Sequence, residues 1–227
     1  MSKKRTVITD NDQQVYTIKL ENRLQAKTEG HKNYIRTMVE NDITICCGVP
    51  GAGKTFSAVG LACEFLSRGE VEKLIFSRPI IQCGKDIGSL PGDVTEKTQA
   101  YFYPILDCLD HFLGKNKYKG LIANKKIEFI PLELMRGMSI KDTFLVLDEC
   151  SNAQFSQLKM LMSRIDYGSK FILNGDYKQC DLYQCDFRLV ADKLKDSMIK
   201  GVGFCELTNA DVQRPKFIND IMVCLGD

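Results

Sequence analysis

With 227 residues, 44% hydrophobic and 26% charged, the chain has the makeup of a globular protein able to bury one substantial core, which excludes disordered and fibrous classes. Its 31 basic and 29 acidic residues give a formal net charge of +2, so any nucleic-acid or membrane partner would need a local patch rather than the overall balance. Ten cysteines without a CxxC pair, beside only two histidines, supply neither a zinc spacing nor a secreted disulfide framework.

Residues 1–24 are polar and are expected to form an N-terminal arm or a short extra strand, with 25–227 folding as one domain. The basic start MSKKR is followed by no apolar stretch and no run approaches transmembrane length, which points to a cytoplasmic protein with no membrane partner. Apolar runs then predict strands over 43–47, 73–77, 126–130, 143–148, 170–174 and 204–208. Amphipathic stretches predict helices over 55–67, 95–113, 154–165 and 187–195. The glycine-rich segment 82–93, QCGKDIGSLPGD, reads as a surface connection long enough to act as a lid. The lysine run through Lys115, Lys117, Lys119, Lys125 and Lys126 reads as a solvated face. Strands alternating with helices give an α/β fold, three layers around a mostly parallel central sheet. Cysteines inside runs such as ITICC and GLACEF behave as small core hydrophobes.

The first predicted strand runs straight into GVPGAGKT. Gly48, Gly53, Lys54 and Thr55 satisfy G-x-x-x-x-G-K-[ST] between a strand and a helix, the context in which the pattern cradles phosphate. Glycines let successive backbone N–H groups turn inward around a polyanion, and a helix N-terminus adds partial positive charge. Lys54 would neutralise the β- and γ-phosphates of ATP, and Thr55 would offer its hydroxyl to Mg²⁺. A second element is needed to hold the metal, and TFLVLDEC supplies it: a four-residue apolar run, as expected of a strand buried on both faces, ends in Asp148, which would hold Mg²⁺ directly or through water, and Glu149, which can orient or deprotonate an attacking water. A third strand, FILNGDYKQC, leads to Gln179, whose amide can bond both γ-phosphate and water.

These motifs keep their order with FSRP at 76–79, SLPGD at 89–93, PLELMRG at 131–137, SRIDYGSK at 163–170 and DVQRP at 211–215. The chain resembles the PhoH-like P-loop ATPases, whose core is similar to the first RecA-like domain of superfamily 1 helicases. The resemblance implies that Lys54, Glu149, Gln179 and Arg214 act in hydrolysis, and that Thr55 and Asp148 hold Mg²⁺. It implies that Gly48, Val49, Pro50, Gly51, Ala52, Gly53, Lys54, Thr55, Phe56 and His31 contact ATP. His31 stands where relatives commonly carry a glutamine that reads adenine, and Lys85 where a glutamate is usual. The resemblance also implies a homo-oligomeric ring, a hexamer being one such ring. Arg78, Arg136, Arg164 or Arg214 would supply a finger to the neighbouring subunit, and single-stranded RNA would be the partner. A nucleotide-binding assembly protein with slow turnover is the alternative. A small-molecule kinase has less need of the water-activating Glu149 and Gln179.

Overall fold

The computed structural model describes residues 18–79, 101–177, 186–213, 215, 217, 221 and 224. Six strands, β1 (Ile43–Gly48), β2 (Lys73–Ser77), β3 (Ile127–Phe129), β4 (Thr143–Leu147), β5 (Lys170–Gly175) and β6 (Val202–Leu207), form one sheet in the order β3-β2-β4-β5-β1-β6. Every pairing between neighbours is parallel. The α/β, three-layer arrangement expected from the sequence is the one observed.

Six helices of eight or more residues surround it among the described residues: α1 (Glu29–Glu40), α2 (Lys54–Arg68), α3 (Tyr103–Leu113), α4 (Lys115–Ala123), α5 (Phe155–Met162) and α6 (Asp186–Ser197). None is long and apolar enough to cross a membrane. The sheet faces alternate, as a strand's period of two requires. Phe144 and Val146 of β4 join a core with Tyr34 of α1, Val59 of α2 and Phe112 of α3, whereas Leu145 and Leu147 join one with Leu158 of α5 and Val190 of α6. Burial on both sides is why β1, β4 and β5 read as continuous apolar runs.

All six strands were legible in the sequence, with ends shifted by at most two residues. Two helices were not. α1 is capped by the Thr28 hydroxyl, which accepts from the His31 amide at 3.1 Å. Its buried positions are His31, Tyr34, Thr37 and Met38, and two polar residues in that set blunt the apolar periodicity. α4 coincides with the lysine run and buries only Tyr118. Part of the expected helix over 95–113 and the whole glycine-rich loop 82–93 lie outside the described residues. Within residues 1–24, expected to form an arm or a short extra strand, Ile18, Leu20 and Leu24 pack on the core, and the Glu21 amide donates to the Phe112 carbonyl at 2.9 Å.

Parallel pairing carries the ends of β1, β2, β4 and β5 to one edge of the sheet. Gly48, Ser77, Leu147 and Gly175 finish there together, and the chain beyond each of them is available to build a site.

Candidate nucleotide site

Between Gly48 and the start of α2 at Lys54 the chain makes a tight loop. Gly51 and Gly53 have φ of 80° and 78°, the left-handed region that side-chain-bearing residues avoid. Gly48 is required for a different reason: a Cβ there would stand 2.9 Å from the Leu207 backbone oxygen of β6. α2 has no side-chain cap at its N-terminus, which leaves its first N–H groups and the positive end of the helix facing the loop.

The loop is held from outside. His31 of α1 is 5% exposed, and its Nε2 lies 2.9 Å from the Ala52 carbonyl oxygen. That nitrogen must carry the proton to make the bond. The Val49 amide donates to Leu207 at 3.3 Å and the Gln213 amide to Gly51 at 3.3 Å. His31 was expected at the adenine. In the structure its ring nitrogen bonds the loop backbone at Ala52. Phe56, also expected to contact ATP, packs its ring against His111 and Phe112 of α3, with centroids 5.3 and 4.8 Å away.

Lys54 folds over the loop, its Nζ donating to Gly48 and Val49 carbonyls at 2.5 and 3.2 Å. The Thr55 hydroxyl donates to Asp148 Oδ1 at 2.9 Å. Arg78, just beyond β2, donates through Nη2 to Asp148 Oδ2 at 2.5 Å and through Nη1 to the Tyr101 carbonyl at 2.7 Å. Next to Asp148, Glu149 adopts φ 59° and ψ 40°. A non-glycine residue in that region costs about 1–2 kcal/mol, and the turn keeps the Glu149 side chain exposed beside the buried Asp148. Surrounding protein raises the Glu149 carboxyl above the ordinary carboxylate range, helped by the charge of Asp148 and opposed by Arg78 and Lys54. Below the site, Ser151 Oγ accepts from the Asp176 amide at 2.6 Å and so ties the ends of β4 and β5 together.

The donors suit magnesium. A threonine hydroxyl and a carboxylate are hard oxygens, already 2.9 Å apart, and Mg²⁺ is commonly held by one or two such groups with phosphate and water completing an octahedron. Among the described residues no set of three or more His, Cys, Asp or Glu side chains could hold a metal, so a phosphate-shared ion fits better than a protein cage. A groove of about 700 Å³ also opens between α6 and β6. It touches Gly48 and Val49 but none of Lys54, Thr55 or Asp148, so it lies toward the β6 edge, away from the chemistry.

A family model described as PhoH-like protein matches residues 23–225. The chain belongs to the PhoH family. A PhoH-like protein of Synechocystis is 39% identical over 202 residues, covering 88% of this chain and 61% of the relative. One of Bacillus subtilis is 35% identical, covering 88% and 63%. The chain therefore spans under two thirds of the length of these PhoH-family relatives. Among solved structures, the large terminase of a thermophilic bacteriophage aligns with a TM-score of 0.53 at 14% identity, covering 89% of this chain and 51% of the terminase. That likeness bears on the fold alone, which is that of a P-loop NTPase.

The fold brings Lys54, Thr55, Asp148 and Glu149 together, as the sequence led us to expect. Gln179 and Arg214 lie outside the described residues. Of the other arginines, Arg136 is exposed, Arg164 is half-buried with Nε bonded to the Met160 carbonyl at 3.4 Å, and Arg78 faces into its own chain's site. Sequence reasoning missed the grip of Arg78 on Asp148. It also missed the support of the loop from α1 and from Asp211, whose Oδ1 accepts the Thr28 hydroxyl at 2.5 Å. The signal available was position: Arg78 and Asp148 each follow an apolar strand directly, though nothing in the sequence makes those strands neighbours.

Proposed function

We propose that this PhoH-family chain binds ATP with magnesium at the Gly48–Thr55 loop and hydrolyses it, coupling turnover to single-stranded RNA in a homo-oligomer. The observation that carries the ATPase reading is the Thr55–Asp148 contact at 2.9 Å, a ready pair of metal ligands, with Glu149 turned outward beside it. Thr55 and Asp148 would hold the ion, and the ion would screen charge on the transferring phosphoryl group. Lys54 binds phosphate oxygens in exchange for its carbonyl partners. Glu149, with a carboxyl raised above the ordinary carboxylate range, accepts a proton from the attacking water.

RNA coupling rests on the helicase-like character implied by the family's RecA-like core. The alternative, an assembly factor with slow turnover, is favoured by one observation: both oxygens of Asp148 are already engaged, by Thr55 and Arg78. Measuring phosphate release with and without single-stranded RNA and DNA separates the two. The lead reading expects stimulation by RNA and a fall of roughly 10²- to 10⁴-fold in Glu149→Gln, with Mg-ATP binding retained. Slow turnover indifferent to both polymers favours the assembly reading, and parent-rate hydrolysis by Glu149→Gln would remove Glu149 from its role.

A further inference from the structure

The Arg78–Asp148 contact is more than an ion pair near a site. The Arg78 side chain is 14% exposed and that of Asp148 is 2% exposed, so the pair is largely out of water. A carboxylate that buried needs compensation. Lys54 does not give it directly, since its ammonium is engaged with the carbonyls of Gly48 and Val49. Asp148 is met instead by Thr55 on Oδ1 and by Arg78 on Oδ2. The guanidinium is itself anchored through Nη1 by the Tyr101 carbonyl at 2.7 Å, so it reaches Asp148 from the end of β2 through Nη2 alone. The grip is incomplete: among the described residues, the buried Arg78 Nε has no hydrogen-bond partner. A group held by fewer bonds than it can make is easier to displace than a saturated one.

A divalent ion liganded by Asp148 needs one of the same two oxygens. Two cations cannot crowd one buried carboxylate without strong mutual repulsion. We propose that Arg78 is the resting counter-ion of Asp148 and competes with magnesium for it, so that loading of metal and nucleotide requires the guanidinium to withdraw. The inference rests on the reading of this loop as a nucleotide site. Arg78 is on this view a positioning residue. It keeps the metal ligand folded and neutralised until the ion arrives, and it sets how much metal the protein needs.

The test reads metal binding rather than turnover. Mn²⁺ binding in the presence of saturating ADP is followed by electron paramagnetic resonance for the parent chain, Arg78→Gln and Arg78→Lys, with metal-free ADP binding measured alongside by calorimetry. Arg78→Gln should reach half-saturation at about tenfold less Mn²⁺, the scale of removing one competing charge, and should melt earlier than the parent without metal but not with it. Arg78→Lys, which keeps the charge, should stay near the parent. Metal-free ADP binding should be alike in all three. In the unmodified chain, ¹⁵N signals of the Arg78 guanidinium, assigned through Arg78→Lys, should be slowed by its two bonds and should lose that restraint when Mg²⁺ and ADP are added together. An unchanged or higher Mn²⁺ requirement in a folded Arg78→Gln, or a guanidinium still restrained in the loaded parent, overturns the proposal. A parent chain that binds neither ADP nor Mn²⁺ overturns the nucleotide reading and this inference with it.

Discussion

Asp211 ties Thr28, the N-cap of α1, to Thr208 at the end of β6. Burial alone would raise its carboxyl, but the hydroxyl of Thr28, the amide of Thr208 and the neighbouring His31 outweigh burial and hold it below the usual carboxylate range. A carboxyl lower in the folded chain than in the unfolded one contributes stability that is fully present above the unfolded value and is lost as pH falls through the folded one. Asp211→Asn should therefore cost about 1–3 kcal/mol near neutral pH. The gap to the parent should shrink as pH falls below the unfolded carboxylate value of about 3.9, as urea unfolding at neutral and acidic pH would reveal. Equal losses at both would mean that the shape of Asp211, not its charge, does the holding. At this scale the sequence identified Lys54, Thr55, Asp148 and Glu149 because each sits in a local pattern whose chemistry is fixed by its neighbours in the chain. The contacts of His31 with Ala52 and of Phe56 with the rings of α3 were not legible there, because they are set by packing.

α1 is the element on which the cradle leans. Besides His31, its Tyr34 hydroxyl donates to Asn174 Oδ1 at 2.5 Å at the end of β5, so one helix touches both the loop and the strand beside it. Its first turn approaches Asp211 so closely that a Cβ on Gly30 would stand 2.2 Å from Asp211 Oδ1. Because that carboxylate is pinned by Thr28 and Thr208, it cannot swing away cheaply. Gly30→Ala should thus lower the melting temperature and weaken nucleotide binding together. Gly120→Ala in α4, where a Cβ meets nothing within 4 Å, should be neutral or stabilising by up to about 1 kcal/mol. Scanning calorimetry and titration of ADP on both variants check this, and a Gly30→Ala protein with parent affinity would detach α1 from the loop's function. α1 escaped sequence reading because its buried face carries His31 and Thr37; α4 escaped because lysines surround its single buried residue, Tyr118.

For the whole molecule, the question is whether the site is complete within one chain. Arg78 is turned inward, which leaves the exposed Arg136, the half-buried Arg164 and Arg214 as candidates for a finger reaching a neighbouring copy. On the ring reading, activity per chain rises with protein concentration as subunits close. Mixing Arg214→Ala chains, whose loop is intact, with Lys54→Ala chains, whose Arg214 is intact, should restore part of the ATPase rate. An inactive mixture of chains shown by sedimentation to co-assemble rejects Arg214, and the same pairing with Arg136→Ala then tests the next candidate.

What the sequence determined by itself is local. A buried parallel strand announces itself as four or five consecutive apolar residues, and a phosphate loop by glycines spaced before a lysine and a threonine, because both patterns are dictated by backbone geometry within a few residues. The order β3-β2-β4-β5-β1-β6 is not local, since it depends on which helix covers which face. Only that order sets β2 beside β4, and so delivers the guanidinium of Arg78 to the carboxylate of Asp148. Only the docking of α1 against β6 and Asp211 brings the His31 ring to the Ala52 carbonyl of the loop. Long-range pairings of buried polar groups are decided by tertiary packing, because each partner's need for a hydrogen bond or counter-charge is visible in the chain while the residue that meets it is not.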